Sequence, residues 1–277
     1  VNLLNHWATT IVATIAVVLL GATVSGVLEL GPTSSYVVMT VILGVFLIFH
    51  DKSFAYKSLS ASALSVTKFT TQHVSIGAAT AVGCLIFVGS IGLLIGAHFE
   101  LVQLVSIPVS TIVLIFFAAT FEEFLFRGPI FKALGIRFGS NVAIISTSVL
   151  FGIAHMFNPS GGLLAIVNVT LAGVLLGAAV AKTKTLWYSL SFHIIWNLLV
   201  ALFFGAVSGL SFPIAYYTFN TSAVSPEMQW LLGSTFGIES GFVTTLCLSA
   251  SIAFILVKVK TDVYVQAAIF RALYEKY

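Results

Sequence analysis

Two adjacent acids, Glu122 and Glu123, are followed by Arg127 at the end of a run of about twenty apolar residues, the length of a membrane span, that begins near Leu101. The 277-residue chain holds only nine acidic side chains, and two of them stand side by side here. A charge at membrane depth is costly enough to be read as functional by default, with a partner to be named. The other strongly polar groups deep inside apolar runs are His155, His193, Asn197 and Asn168. Carboxyl and imidazole groups are the usual carriers of proton transfer near neutral pH. The set predicts one buried site gathered from several helices, and therefore an enzyme.

Each element has a structural reading beside the chemical one. Glu123 and Arg127 are four residues apart and share a helical face, so an ion bridge that shelters both charges accounts for them. Glu122 is rotated about 100° away and is less easily the partner of that arginine. Without a dedicated counter-charge it suits a general base or acid; otherwise it is a neutral Glu hydrogen-bonded to a neighbouring helix. His155 closes the stretch Phe151-Gly152-Ile153-Ala154-His155. A lone histidine on an apolar helix is more often a satisfied core residue, but Gly152 would leave room for another group to approach the ring. His193 and Asn197 form an i, i+4 pair. Their structural reading is an interhelical hydrogen bond worth about 1 kcal/mol or less in a membrane.

The elements that must position these groups follow from composition. The chain is 59% hydrophobic and 8% charged, with a mean hydropathy of +1.10, against about 25% charged residues in soluble domains. Backbone in a bilayer must satisfy its own hydrogen bonds, leaving helices or a closed barrel, and runs of about 18–25 residues select helices. The expected fold is all-α: a polytopic membrane protein of about eight transmembrane helices enclosing an intramembrane cavity. The spans are placed at about 7–29, 33–50, 77–97, 102–127, 139–157, 161–182, 185–206 and 239–258. They form a single integral-membrane domain over 1–277, with a core at 77–206. The first run is too long for a signal peptide and is kept as an anchor.

Orientation follows from the basic residues, which mark cytoplasmic loops. All twelve lysines and arginines fall on one side of such a topology, in 51–76, 127–138, 182–184 and after the last span, while 207–238 has none. Both termini are therefore expected to be cytoplasmic. The net charge of +3 needs no nucleic-acid partner. Cys84 and Cys247 sit inside apolar runs and give no disulfide or metal spacing. Loop 51–76, with Phe54, Tyr56, Leu59, Leu64 and Phe69, reads as an interfacial helix, and 207–238 as an external cap containing a short helix. Gly92/Gly96 and Gly173/Gly177 are spacings that permit close helix packing.

The heights of the polar groups can be compared if the fourth helix continues past Arg127 to about Leu134. Glu122 and His155 then differ in height by about one turn, with His193 shallower. That fit requires helix tilt or a fifth helix that ends inside the membrane, which the Asn158-Pro159-Ser160-Gly161-Gly162 run favours.

The order Glu-Glu-x-x-x-Arg, Phe-x-x-x-His and His-x-x-x-Asn, at Glu122-Glu123/Arg127, Phe151/His155 and His193/Asn197, resembles the CPBP family of intramembrane proteases. That family includes type II CAAX prenyl endopeptidases and bacteriocin-processing and immunity relatives. The resemblance covers about residues 77–206, and three motifs in order, each on an expected transmembrane helix, are specific. It implies that Glu122 activates a water, with His155 sharing or orienting the proton. His193 and Asn197 would stabilise the oxyanion, and Glu123 and Arg127 would shape the site. A metal-free dyad is the reading taken. The alternative is a zinc-bound water, with Glu122, His155 and His193 as candidate ligands. The implied partners are membrane lipid and a membrane-embedded or lipidated peptide, and short loops suit a prokaryotic plasma membrane. Rival readings are a non-catalytic scaffold or immunity factor, which intact motifs disfavour, and a solute transporter, which the absence of internal repeats disfavours.

Overall fold

The computed structural model describes residues 6–53, 63–64, 66, 68–101, 108–212 and 216–259. Its helices are α1 His6–Val27, α2 Pro32–Ser53, α3 Thr70–Leu94, α4 Val109–Arg127, α5 Pro129–Phe138, α6 Ser140–His155, α7 Leu163–Thr183, α8 Trp187–Phe203, α9 Pro226–Leu232 and α10 Phe242–Lys258. Four short strands complete it: β1 His98–Leu101, β2 Ala206–Val207, β3 Leu210–Ser211 and β4 Tyr217–Asn220. Among the described residues, five apolar stretches are long enough to cross a membrane: α1, most of α2, α3, the 30 residues from Val109 to Phe138, and α7. The shorter apolar helices α6, α8 and α10 bring the segments to the eight expected. The protein is an all-α, multi-pass integral membrane protein.

The helix after Glu122 does not run smoothly to Leu134. Gly128 leaves helical geometry at φ −82°, ψ −123°, and Pro129 opens a second helix. Proline removes a backbone donor and crowds the preceding turn, and a Cβ at Gly128 would overlap Phe124 O and the Leu47 side chain. Arg127 thereby ends its helix buried, at 1% exposure, rather than as a loop cation. The fifth apolar segment is one of the shorter ones. α6 has 16 residues, about 24 Å against a hydrocarbon core of about 30 Å, and His155 is its last residue.

α8 occupies the middle, packed on α3 and α4, while α7 packs between α6 and α10, and α2 lies on α4. Apolar side chains from α3, α7, α8 and α10, among them Val88, Leu176, Phe192 and Leu248, form the main core. Lipid is as apolar as these residues, so close packing rather than water exclusion must hold the helices together. Small residues permit it: a Cβ at Gly173 would lie 2.9 Å from Ser148 Cα, and one at Gly177 3.6 Å from Ile144 Cα, at the α6–α7 contact. The other expected pair works differently. Gly92 makes room for the Phe219 ring of β4, and Gly96, at φ +104°, lies beyond the end of α3. Nor does Gly152 open a path to the imidazole; a Cβ there would overlap Thr170 Oγ1 of α7.

Residues 207–238 contain the expected short helix, α9, but also strand pairing that the apolar pattern does not foretell. β1 pairs antiparallel with β4, with His98 opposite Asn220 and Leu101 opposite Tyr217, and β2 pairs with β3. Of the proposed interfacial helix at 51–76, residues 54–62, 65 and 67 lie outside the described residues; 51–53 end α2, 70–76 begin α3, and Leu64 and Phe69 lie in turns between them. On the exposed β1–β4 ribbon, the Asn220 amide donates to Glu100 Oε1 at 2.8 Å and His98 Nε2 lies 3.1 Å from the same oxygen. These bonds, the amide's first, hold the Glu100 carboxyl below its ordinary range. Its contribution is present above the unfolded carboxylate range and is lost as pH falls through the lowered value. The protection of amides in 98–101 and 217–220 from hydrogen exchange, taken relative to the intrinsic rate at each pH, is expected to fall as acidification passes below the ordinary carboxylate range in the wild type. In Glu100→Gln the acid-dependent loss of protection is expected to be smaller.

Candidate active site

The acidic pair divides its labour by helical phase. Glu123 faces inward, fully buried, with Arg127 Nη1 donating to its Oε1 at 3.1 Å. A second guanidinium nitrogen, Nη2, donates to Gly173 O of α7 at 3.3 Å, which the close α6–α7 approach brings into range. The guanidinium also lies over the Phe151 ring at 4.5 Å. Arginine suits this place because its planar fork can serve a carboxylate, a carbonyl and an aromatic face together. Glu123 Oε2 and Arg127 Nε have no hydrogen-bond partner among the described residues.

His193, from α8, meets both acids. Its Nδ1 is 2.9 Å from Glu123 Oε1 and its Nε2 is 3.6 Å from Glu122 Oε2. An ionised carboxylate only accepts, so Nδ1 carries the proton of that shorter bond. Glu122, one residue round the helix, keeps 24% of its side chain exposed. Four of the expected groups, Glu122, Glu123, Arg127 and His193, thus form one contiguous cluster between α4 and α8.

His155 approaches from another direction. Its Nδ1 donates to Phe151 O one turn earlier, at 2.8 Å, leaving Nε2 as the ring atom available for proton chemistry. Phe151 packs against both imidazoles, 4.5 Å from the ring of His155 and 5.9 Å from that of His193, edge-on to the latter. No hydrogen bond joins Glu122 to His155, the pair that the resemblance links. A small cavity does join His155 to the rest: His155, His193 and Asn197 all line it, together with Trp196, Asn168 and Glu239. It offers about 40 Å³ to the centres of water molecules, enough for two or three of them. Glu122 lies outside this lining.

Asn168 is fully committed elsewhere. Its amide donates to Glu239 O at 2.8 Å and Gly241 O at 2.9 Å, and its carbonyl accepts from Thr245 Oγ1 at 2.7 Å. It pins the turn before α10 to α7, and has no N–H donor to spare for chemistry. Glu239 is the residue that sequence reasoning passed over, as the first residue of the last span. An acid isolated between Gly237-Ile238 and Ser240-Gly241 was the available signal. It lies in a 3₁₀ turn, Ile238–Ser240, is buried, and accepts from Trp196 Nε1 at 2.9 Å.

A zinc ion would need three converging ligands. Among the described residues no three His, Cys, Asp or Glu side chains converge in that way. Of the candidates, His155 and His193 each spend Nδ1 on a protein acceptor, which leaves both Nε2 atoms open, but Glu122 does not line the cavity that the two imidazoles share. Glu122, His155 and His193 therefore do not fit a preformed metal site, and no step is routed through one.

No curated protein matches the chain. Residues 104–199 match the family model described as type II CAAX prenyl endopeptidase Rce1-like. The matched segment contains Glu122, Glu123, Arg127, Phe151, His155, His193 and Asn197, and supports a membrane peptidase of the CAAX type in general. The resemblance to CPBP-family intramembrane proteases carried by the three motifs thus holds over the segment that contains all of them.

Proposed function

We propose that the chain is an intramembrane endopeptidase that hydrolyses a bond in a membrane-embedded or lipidated peptide, using a protein-activated water. The supporting observation is the convergence on His193 of two carboxylates, next to a cavity that His155 and Asn197 also line. In this reading Glu122 is the base, taking a proton from the water as the water attacks the scissile carbonyl. His155 Nε2 orients that water, and the Asn197 amide donates to the oxyanion, where a fixed donor in a dry site counts most. Glu123 and Arg127 hold His193 in one tautomer and one orientation. The basic residues gathered on one side support a reading with both termini in the cytoplasm, and the short loops support a prokaryotic plasma membrane; in that reading the substrate enters from the cytoplasmic side.

A second reading, a non-catalytic scaffold, draws on one observation: Glu122 lies outside the cavity lining and has no hydrogen bond to His155. Comparison of membrane and secreted peptide termini in native-host cells separates the two. Cells carry wild type or Glu122→Ala at matched protein levels. Termini that vanish only in the mutant are expected, and they reveal the cleaved sequence. Identical termini, with any wild-type phenotype retained by the mutant, would favour the scaffold.

A further inference from the structure

The cavity has an acidic wall that none of the three motifs accounts for. Glu239 is 8% exposed. Its Oε1 accepts from Trp196 Nε1 at 2.9 Å, and its Oε2 accepts from the Ser208 backbone N–H and, at 3.2 Å, from Ser208 Oγ. All three donors are neutral, and among the described residues Glu239 enters no ion pair. Neutral donors solvate a carboxylate without cancelling its charge. An ionised carboxylate has room for about four hydrogen bonds, so one acceptor position remains.

The carboxylate is also held still. Asn168 grips the carbonyls on either side of the turn, and Gly237, at φ +99°, sets the chain's path into it where a Cβ would strike Ala206 O at 2.6 Å. A buried charge facing a cavity without a counter-ion is expensive unless something completes it. His155, His193 and Asn197 share the same lining, so whatever completes the charge sits beside the proposed chemistry. An ammonium is close to water in size, and the cavity holds two or three waters.

We propose that Glu239 is a cation-recognising subsite that takes an ammonium group of the substrate, a lysine side chain or a free α-amine, near the bond to be cut. This rests on the peptidase reading. Trp196 and Ser208 hold the carboxylate aimed, and the substrate supplies the missing positive charge.

The test begins with the termini that depend on Glu122. A lysine at a constant distance from the cut identifies the side-chain form; cuts at a constant distance from the substrate's own N-terminus identify the α-amine form. A peptide of the mapped sequence is then presented, with its amine free or acetylated, to the full-length protein in liposomes. Wild type is expected to lose about tenfold or more in kcat/KM on acetylation, as for a buried charge pair broken on one side. Glu239→Gln is expected to cut both forms equally. Glu122-dependent cuts with no ammonium at a fixed position, or wild-type turnover indifferent to acetylation, would overturn this proposal alone. If Glu239→Gln fails to fold, the acetylation comparison on wild type decides by itself. If no terminus depends on Glu122, the peptidase reading falls and this one falls with it.

Discussion

Arg127→Met is expected to lower unfolding stability by about 3–5 kcal/mol, because it strands the Glu123 carboxylate in a fully buried place. The guanidinium gives Glu123 its nearest cation at 3.1 Å, and it also ties α4 to α7 through Gly173 O. Met has a similar length and can fill much of the space beside Phe151, so the loss reports charge more than volume. Pairing it with Glu123→Gln removes both charges, and the double variant is expected to recover a large part of the deficit. The measurement is thermal or denaturant unfolding in one detergent, on all four members of the cycle. Additive effects would mean that the ion pair contributes nothing as a pair.

Glu122→Gln is expected to reduce turnover about a thousandfold, the scale of a lost general base, while leaving stability nearly unchanged. The two halves of that expectation have separate causes. Glu122 is the less buried member of the acidic pair, and its approach to His193 is longer than a hydrogen bond, so folding relies on it little. The glutamine keeps the shape but cannot take the water's proton. Glu123→Gln is expected to behave differently, losing stability and activity together, since Glu123 is completely buried and holds both Arg127 and His193. Turnover on the mapped peptide, read beside unfolding midpoints, distinguishes them. Activity surviving in Glu122→Gln and vanishing in a folded Glu123→Gln would reverse the roles of the two acids.

The segments were legible because a bilayer leaves few options: apolar runs of the right length become helices, and all eight did. Glu123 with Arg127, and His193 with Asn197, were legible for a related reason, since i, i+4 spacing fixes a shared face. The meeting of His193 with both acids needed the packing of α8 on α4, which no local pattern encodes. Glu239 was illegible because its place depends on the whole path of 206–241, including the β2–β3 pairing and the hold of Asn168 from α7. Gly152 and Gly96 were misread because spacing tells where a side chain is missing and not what fills the gap. Thr170 fills it at the first, while the second sits past the end of its helix.

The cluster around His193 also sets how many protons the site can keep. Arg127 contributes one fixed positive charge, Glu122 and Glu123 two negative ones, so a single proton on the imidazole or on Glu122 makes the group neutral. In the proposed reaction Glu122 must start ionised, so a proton taken from the attacking water brings the cluster from a net charge of −1 to neutral. That proton must leave with the departing amine, the base of the new peptide end. The acidic and basic halves of peptide hydrolysis are then one proton on loan, and the resting charge of the cluster is restored when the product amine accepts it.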